Sequence, residues 1–232
     1  MARVKHSDVS TGSFGCVVTI IIGLVLIAII AISVSSIYVT KTISQLLTEN
    51  KKLKESLVRL TQEDQIGFAK VVKQEKINNK IFTTLKFVET ARDDKLKRIL
   101  EKEYTIEGNI IHFDAIVVKF NSQLVSDGKE RSLYLWRRIY GETMSPDKGF
   151  PIEDAGKEPS RYLGLLEKLR LKDQETFWSG IWDLANDPQT LSSLGVDAIF
   201  GNVVYTKLKP GLVYIFKISN TGQLIPETAP EM

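Results

Sequence analysis

The stretch Cys16–Ser33, CVVTIIIGLVLIAIIAIS, is almost purely aliphatic and lies inside a run from Val9 to Thr40 that carries no charged side chain. A helix rises about 1.5 Å per residue, so about 20 such residues cross a hydrocarbon core about 30 Å thick. On that length the sequence predicts a tail over residues 1–14, a transmembrane helix over 15–39, and the lipid bilayer as a partner. A cleavable secretory signal usually has an apolar region of about 7–15 residues before small residues. This one is longer before it reaches Ser33, Ser35 and Ser36, so it reads as a signal-anchor. Cys16, the only cysteine, precedes the apolar stretch, whereas a lipidated cysteine follows one; it reads as a small apolar residue at the bilayer edge. The second residue, Ala2, is not the glycine that myristoylation needs.

Arg3 and Lys5 flank one end of the run, and Lys41, Lys51, Lys52 and Lys54 the other. A short basic tail before a first hydrophobic segment stays in the cytoplasm, and long domains are translocated regardless of flanking charge. The expected location is therefore the cell membrane, single-pass, with the N-terminus cytoplasmic and the C-terminal domain outside. From Lys41 onward there is no cysteine and no Asn-x-Ser/Thr sequon, which is compatible with that placement. A net charge of +3 on 232 residues, with acids and bases interleaved, gives no nucleic-acid footprint.

Beyond the anchor a seven-residue repeat begins. With Ile43 at position a, the successive a and d sites are Ile43, Leu46, Asn50, Leu53, Leu57 and Leu60. This spacing makes one apolar seam on a helix, which is buried by pairing with a second helix, and an amide at a favours a parallel dimer in register. Glu49 and Lys54 fall at g and the following e, the spacing of an interhelical ion pair. The seam falters at Asp64, Gly67, Gln74 and Asn78, then returns at Ile81, Leu85 and Val88. Residues 80–104 are rich in Lys, Glu, Leu and Arg, without Gly or Pro, up to the breaker Gly108. The expectation is a helical stalk over 40–104, coiled coil over 43–60 or longer, and a homodimer; the competing reading packs the stripe on the chain's own domain.

After Gly108 the period becomes that of a strand. Ile110–Phe120 (IIHFDAIVVKF) is rich in β-branched residues, and after the turn signal Ser126–Lys129 comes Ser132–Tyr140 (SLYLWRRIY). These two read as one hairpin. Asn202–Leu208 and Leu212–Ser219, joined through Lys209-Pro210-Gly211, read as another. Helical patterns at about Ser160–Leu171, Gln174–Asn186 and Pro188–Leu194 lie between them. The fold class expected for 108–222 is α+β, a sheet of about four antiparallel strands with two or three helices on one face. Residues 223–232, with two prolines, read as a disordered tail.

Candidates for chemistry are few. His112 and Asp114 share a strand face, and a carboxylate can orient an imidazole as general base, but no nucleophile stands in a recognisable elbow. One cysteine and two histidines do not fill a zinc site. The loop Gly141–Pro159 holds Glu142, Asp147, Glu153, Asp154 and Glu158 in no EF-hand spacing. Trp178 and Trp182 lie one helical turn apart, the spacing of a face buried on the sheet. Arg137 and Arg138 alternate across a regular strand, which puts Arg138 on the face of Trp136 and Tyr140. No cofactor is implied. The function expected is recognition or scaffolding of an unknown protein partner, with Arg138, Asp147, Phe150, Glu153 and Asp154 as candidates for the interaction surface. The alternatives are an extracytoplasmic ligand-binding sensor and a membrane-tethered enzyme using His112 and Asp114.

Overall fold

A computed structural model describes residues 12–163, 174–182 and 195–231, with side chains of 12–20, 36, 37, 39, 40 and 174–176 left out. The chain divides into two compact units, Met1–Lys54 and Glu55–Met232. Helix α1 runs over Gly12–Thr61. Among the described residues no helix is long and apolar enough to cross a membrane. The single-pass anchor is therefore not supported, nor is the membrane location built on it.

The coiled-coil stalk is overturned more directly. Helix stops at Thr61, and residues expected to continue it form β1 (Glu63–Ile77), β2 (Lys80–Ala91) and β3 (Asp94–Glu107). Ile43, Leu46, Leu53 and Leu57 are exposed on α1, as is Asn50, while Leu60 packs against a core cluster that includes Trp178 and Ile181. The reason lies in the turns. Asn78 and Asn79 both have positive φ, 48° and 65°, and join Ile77 to its partner Lys80, the two-residue connection that suits a tight hairpin. Buried residues then alternate along β2 as Thr83, Leu85, Phe87 and Glu89, a period of two rather than 3.6. Gly67 marks a strand approach rather than a helix break: a Cβ there would lie 2.6 Å from the Val88 carbonyl oxygen. The helix-like composition of β3 is that of a charged sheet edge.

The rest of the chain is β4 (Ile110–Phe120), a short α2 (Ser122–Ser126), β5 (Leu133–Gly141), β6 (Phe150–Pro151), α3 (Gln174–Trp182), β7 (Val196–Lys207), β8 (Leu212–Ser219) and β9 (Leu224–Pro230). Two sheets of five and four strands dominate the described residues, which replaces the α+β expectation with a mostly β fold. Sheet A has the order β3-β2-β1-β8-β9 and sheet B the order β6-β5-β4-β7. The antiparallel pairing of β4 with β5 is as read from sequence. The second hairpin is not formed: β7 pairs with β4 and β8 with β1, so Lys209–Gly211 carries the chain from one sheet to the other. The residues expected to form a disordered tail form β9, paired with β8. Of the helix expected at Ser160–Leu171, the described part is a 3-10 turn over Ser160–Tyr162, with 164–171 outside the described residues. Residues 183–186 and 188–194 also lie outside them.

The inner faces of the two sheets share one core, with Ile66, Leu85, Phe87 and Phe216 from sheet A meeting Ile111, Phe113, Trp136 and Val204 from sheet B. On the other face of sheet B, Ile116, Val118, Leu135 and Ile199 are covered by Val125 of α2 and Trp178 and Ile181 of α3. The central strand β4 is thus apolar on both faces through Ala115–Val118.

One buried knot joins the sheets. Arg92, in the β2–β3 turn, donates from Nε to Asp64 at 3.0 Å, from Nη1 to the Ser132 carbonyl at 2.5 Å and from Nη2 to Asn220 Oδ1 at 2.9 Å. Burial pushes its guanidinium below the usual pKa, and Asp64 opposes this. Removing one partner of such a pair leaves a buried, uncompensated charge, at a cost of about 3–5 kcal/mol. Arg92→Met should therefore lose about that much stability in urea denaturation. Adding Asp64→Leu should return most of it, since a fully apolar replacement leaves no orphaned charge.

Candidate functional site

The part of sheet B's outer face that the helices leave bare carries a patch built by a β-bulge. In the β4–β5 register Asp114 pairs with Arg138, but the next residue, Ala115, pairs with Trp136. Arg137 is thus the extra residue, and a bulge bends its strand and re-aims side chains. Strict alternation would have split the two arginines between faces. Instead both Nε atoms point at the same Asp114 Oδ2, from 3.6 Å for Arg137 and 3.0 Å for Arg138. Trp136 lies on the inner side, in the core with Phe87 and Phe216, so Arg138 does not share its face. Asp114 is buried; burial raises its carboxyl above the usual range, against the pull of Arg137 and Arg138.

The two guanidinium groups differ in what remains to them. Arg138 also donates to the Pro146 carbonyl at 2.8 Å and lies 3.6 Å from Asp147. Arg137 has only its Nε near Asp114; among the described residues its terminal nitrogens have no hydrogen-bond partner. They lie over Gly201 of β7, where an added Cβ would sit 3.7 Å from Nη1. Next to the arginines runs an aromatic row across three strands. His112 stacks on Tyr140 at 4.7 Å with planes 2° apart, and its other neighbour, Tyr205, lies at 5.8 Å. Tyr205 is 70% exposed and Val203 beside it 42%.

His112 and Asp114 do share a face, yet they form no dyad. The His112 Nδ1 is buried with no hydrogen-bond partner, while Asp114 is engaged by arginines. Among the described residues no group of His, Cys, Asp and Glu could hold a metal ion.

The other sequence candidates lie away from this patch. Phe150, in β6, packs its ring 6.1 Å from Tyr104. Asp154 pairs with Lys157 at 2.9 Å on the surface. Trp178 is buried, stacked on Tyr162 at 5.8 Å, and Trp182 is half-buried. Glu153 accepts from the Trp136 backbone N–H at 2.9 Å and from Arg161. Arg161, which sequence reasoning missed, lies 4.4 Å and 4.7 Å over the Tyr134 and Tyr162 rings and 2.9 Å from Glu89 Oε1. No local pattern announces it, because its partners come from β2, β5 and a loop.

Two depressions also mark the surface. A cleft of about 520 Å³ is lined by Arg59, Lys129, Arg131 and Arg161, and a groove of about 460 Å³ on sheet A by Lys70, Lys86 and Arg98. Their cations are engaged: Arg131 with Asp93, Arg161 with Glu153 and Lys129 with Asp127, then Lys70 with Glu231 and Lys86 with Glu101. Arg59 donates to the Ser126 carbonyl, and Arg98 pairs with Glu101. The bulge patch differs in offering a guanidinium with donors to spare on the same face as the exposed ring of Tyr205.

Glu89 gives the molecule a pH dependence. One cation, Arg161, serves two buried acids, and burial pushes Glu89 from 4.5 up to about 7. Below pH 4.5 both folded and unfolded chains hold this proton; between 4.5 and about 7 only the folded chain does, so this group's stabilisation is lost as pH rises through that window. Glu89→Gln should remove a fall on the order of 3 kcal/mol between pH 4.5 and 8, read as a flattened profile of urea midpoints. An unchanged slope would locate the titration elsewhere. The chain matches no protein-family model, and no curated protein or solved structure is significantly similar to it.

Proposed function

We propose that this chain is a recognition protein and that the bare outer face of sheet B, around Arg137, Tyr140, His112 and Tyr205, is its binding surface for a protein partner. The observation that carries this reading is the bulge, which turns Arg137 outward beside Arg138 and leaves its terminal N–H groups unused. A guanidinium with paired donors accepts a carboxylate in two parallel hydrogen bonds. Tyr205 and Val203 offer exposed apolar area next to it, with Tyr205 backed by the His112–Tyr140 stack, and tyrosine and arginine are residues that often dominate interfaces. The partner is therefore one that presents an acidic side chain beside an aromatic or branched aliphatic one. General-base catalysis by His112 is disfavoured, since Asp114 is spent on two arginines and does not orient the ring.

Peptides selected by display against the immobilised full chain should be enriched in an acidic residue adjacent to an apolar one. Their affinity should fall as salt rises, because the carboxylate contact is screened. Arg137→Ala should weaken them about tenfold or more, Tyr205→Ala by several-fold, and Asp154→Ala not at all. Selected peptides that bind an Arg137→Ala/Tyr205→Ala variant as tightly as the parent would overturn this assignment.

A further inference from the structure

A sheet edge is a row of unpaired N–H and C=O groups, and folded proteins guard such edges. Three of the four edges here are guarded. The β3 edge carries Lys95, Lys97, Arg98, Glu101 and Glu103, and β9 contains Pro226 and Pro230. The outer side of β5 is closed by β6 and by the Ile152 and Glu153 N–H groups, which donate to Arg137 and Trp136. The β7 edge has such devices only at its ends, a bulge at Asp197 and the charge of Lys207. From Ala198 to Lys207 it keeps unbroken register with β4, with no proline, and from Ala198 to Thr206 no charge. Among the described residues no strand lies on its outer side.

The register fixes which groups are free. Leu208 N–H donates to the Asn109 carbonyl at 2.7 Å, and pairs that face β4 alternate with pairs that do not. Even-numbered β7 residues therefore bond to β4, while Ile199, Gly201, Val203 and Tyr205 aim N–H and C=O outward. The Lys207 carbonyl already accepts from the Tyr214 hydroxyl at 3.0 Å, which ends the free ladder at Tyr205. We propose that this edge pairs antiparallel with β7 of a second copy of the chain, about a two-fold axis at Asn202.

Charge selects both occupant and register. Centring on Asn202 sets Ile199 against the partner's Tyr205 and Gly201 against the partner's Val203. At both ends of the ladder it also brings exposed Asp197, the extra residue of a bulge that ends the regular register, near the partner's exposed Lys207. Centring on Gly201 would put Asp197 against the partner's Tyr205, and centring on Val203 would put Lys207 against the partner's Ile199. The register centred on Asn202 is the one that brings these opposite charges together at both ends, and like charges on facing strands are destabilising. Tyr205 and Val203, exposed in the single chain, gain cross-strand neighbours. The edge shares Tyr205 with the recognition surface, but Asp197 and Lys207, where the pairing is tested, do not belong to that surface.

The test is sedimentation of the full chain over a hundredfold concentration range, with charge-swap variants at these two exposed positions. The parent should reach a dimer. Asp197→Lys and Lys207→Asp, each turning two attractive pairs repulsive, should each raise the dissociation constant about tenfold or more, and the double variant should restore it. Amide exchange read by NMR supplies the second arm: Ile199, Gly201, Val203 and Tyr205 should gain protection with concentration, while Phe200, Asn202 and Val204 stay protected throughout. A chain that remains monomeric, a dimer indifferent to the single swaps, or odd-numbered amides indifferent to concentration would overturn the proposal.

Discussion

The buried Arg92–Asp64 pair constrains this fold more than any other contact. Taking a guanidinium and a carboxylate out of water costs several kcal/mol per ion, repaid only when nearly every donor and acceptor is matched. Arg92, in the turn after β2, meets that demand with acceptors from three places: Asp64 at the start of β1, the Ser132 carbonyl before β5 and Asn220 after β8. Asn220 then donates to the Arg59 carbonyl at the end of α1, and its own carbonyl accepts from Ser132 N–H. Ser132 Oγ closes the set on the Ser219 carbonyl at 2.6 Å. No member can shift by a residue without orphaning a buried polar group, so one end of each sheet is held in register with the other.

A second constraint comes from the loop after β5. A strand edge inside a compact body needs its backbone groups satisfied, and β6 pairs over only Arg138 and Ile139. Side chains stand in for the missing strand. The Tyr162 hydroxyl accepts from Tyr134 N–H at 2.8 Å and donates to the Tyr134 carbonyl at 3.1 Å, while Glu153 takes the Trp136 N–H. Arg161, clamped between the Tyr134 and Tyr162 rings, positions both Glu153 and the loop, so acids that sequence alone presents as a solvated cluster hold an edge closed. This use of Glu153 leaves Glu89 without a well-aligned hydrogen bond, which is why burial prevails over Arg161 in setting its proton affinity.

Much of sheet B was legible because its signals are local. Ile110–Phe120 and Leu133–Gly141 carry β-branched and aromatic runs, and the face shared by His112 and Asp114 follows from the two-residue period. The inward placement of Trp178 follows from helical spacing. Sheet A was not legible for a physical reason: Ile81, Leu85 and Val88 fit a heptad as well as they fit a strand, and the charged residues that guard an edge strand are also strong helix formers. The decisive signal was Asn78-Asn79, two residues that tolerate positive φ at the only spacing a tight hairpin allows. The Arg137 bulge was beyond local reading altogether, since it exists only in the register between two strands.

That bulge also explains why a recognition surface can stand on an otherwise ordinary sheet. The outer face of sheet B is apolar where α2 and α3 cover it and must change character where they stop. A regular strand would deliver one polar side chain every second residue there; the extra residue delivers two in succession, and only one of them can be satisfied fully by Asp114. The surplus falls to Arg137, next to Gly201, whose missing side chain leaves the guanidinium room to lie over β7. The site is thus a consequence of register: the step that fits β5 against β4 is the same step that leaves a cation facing outward.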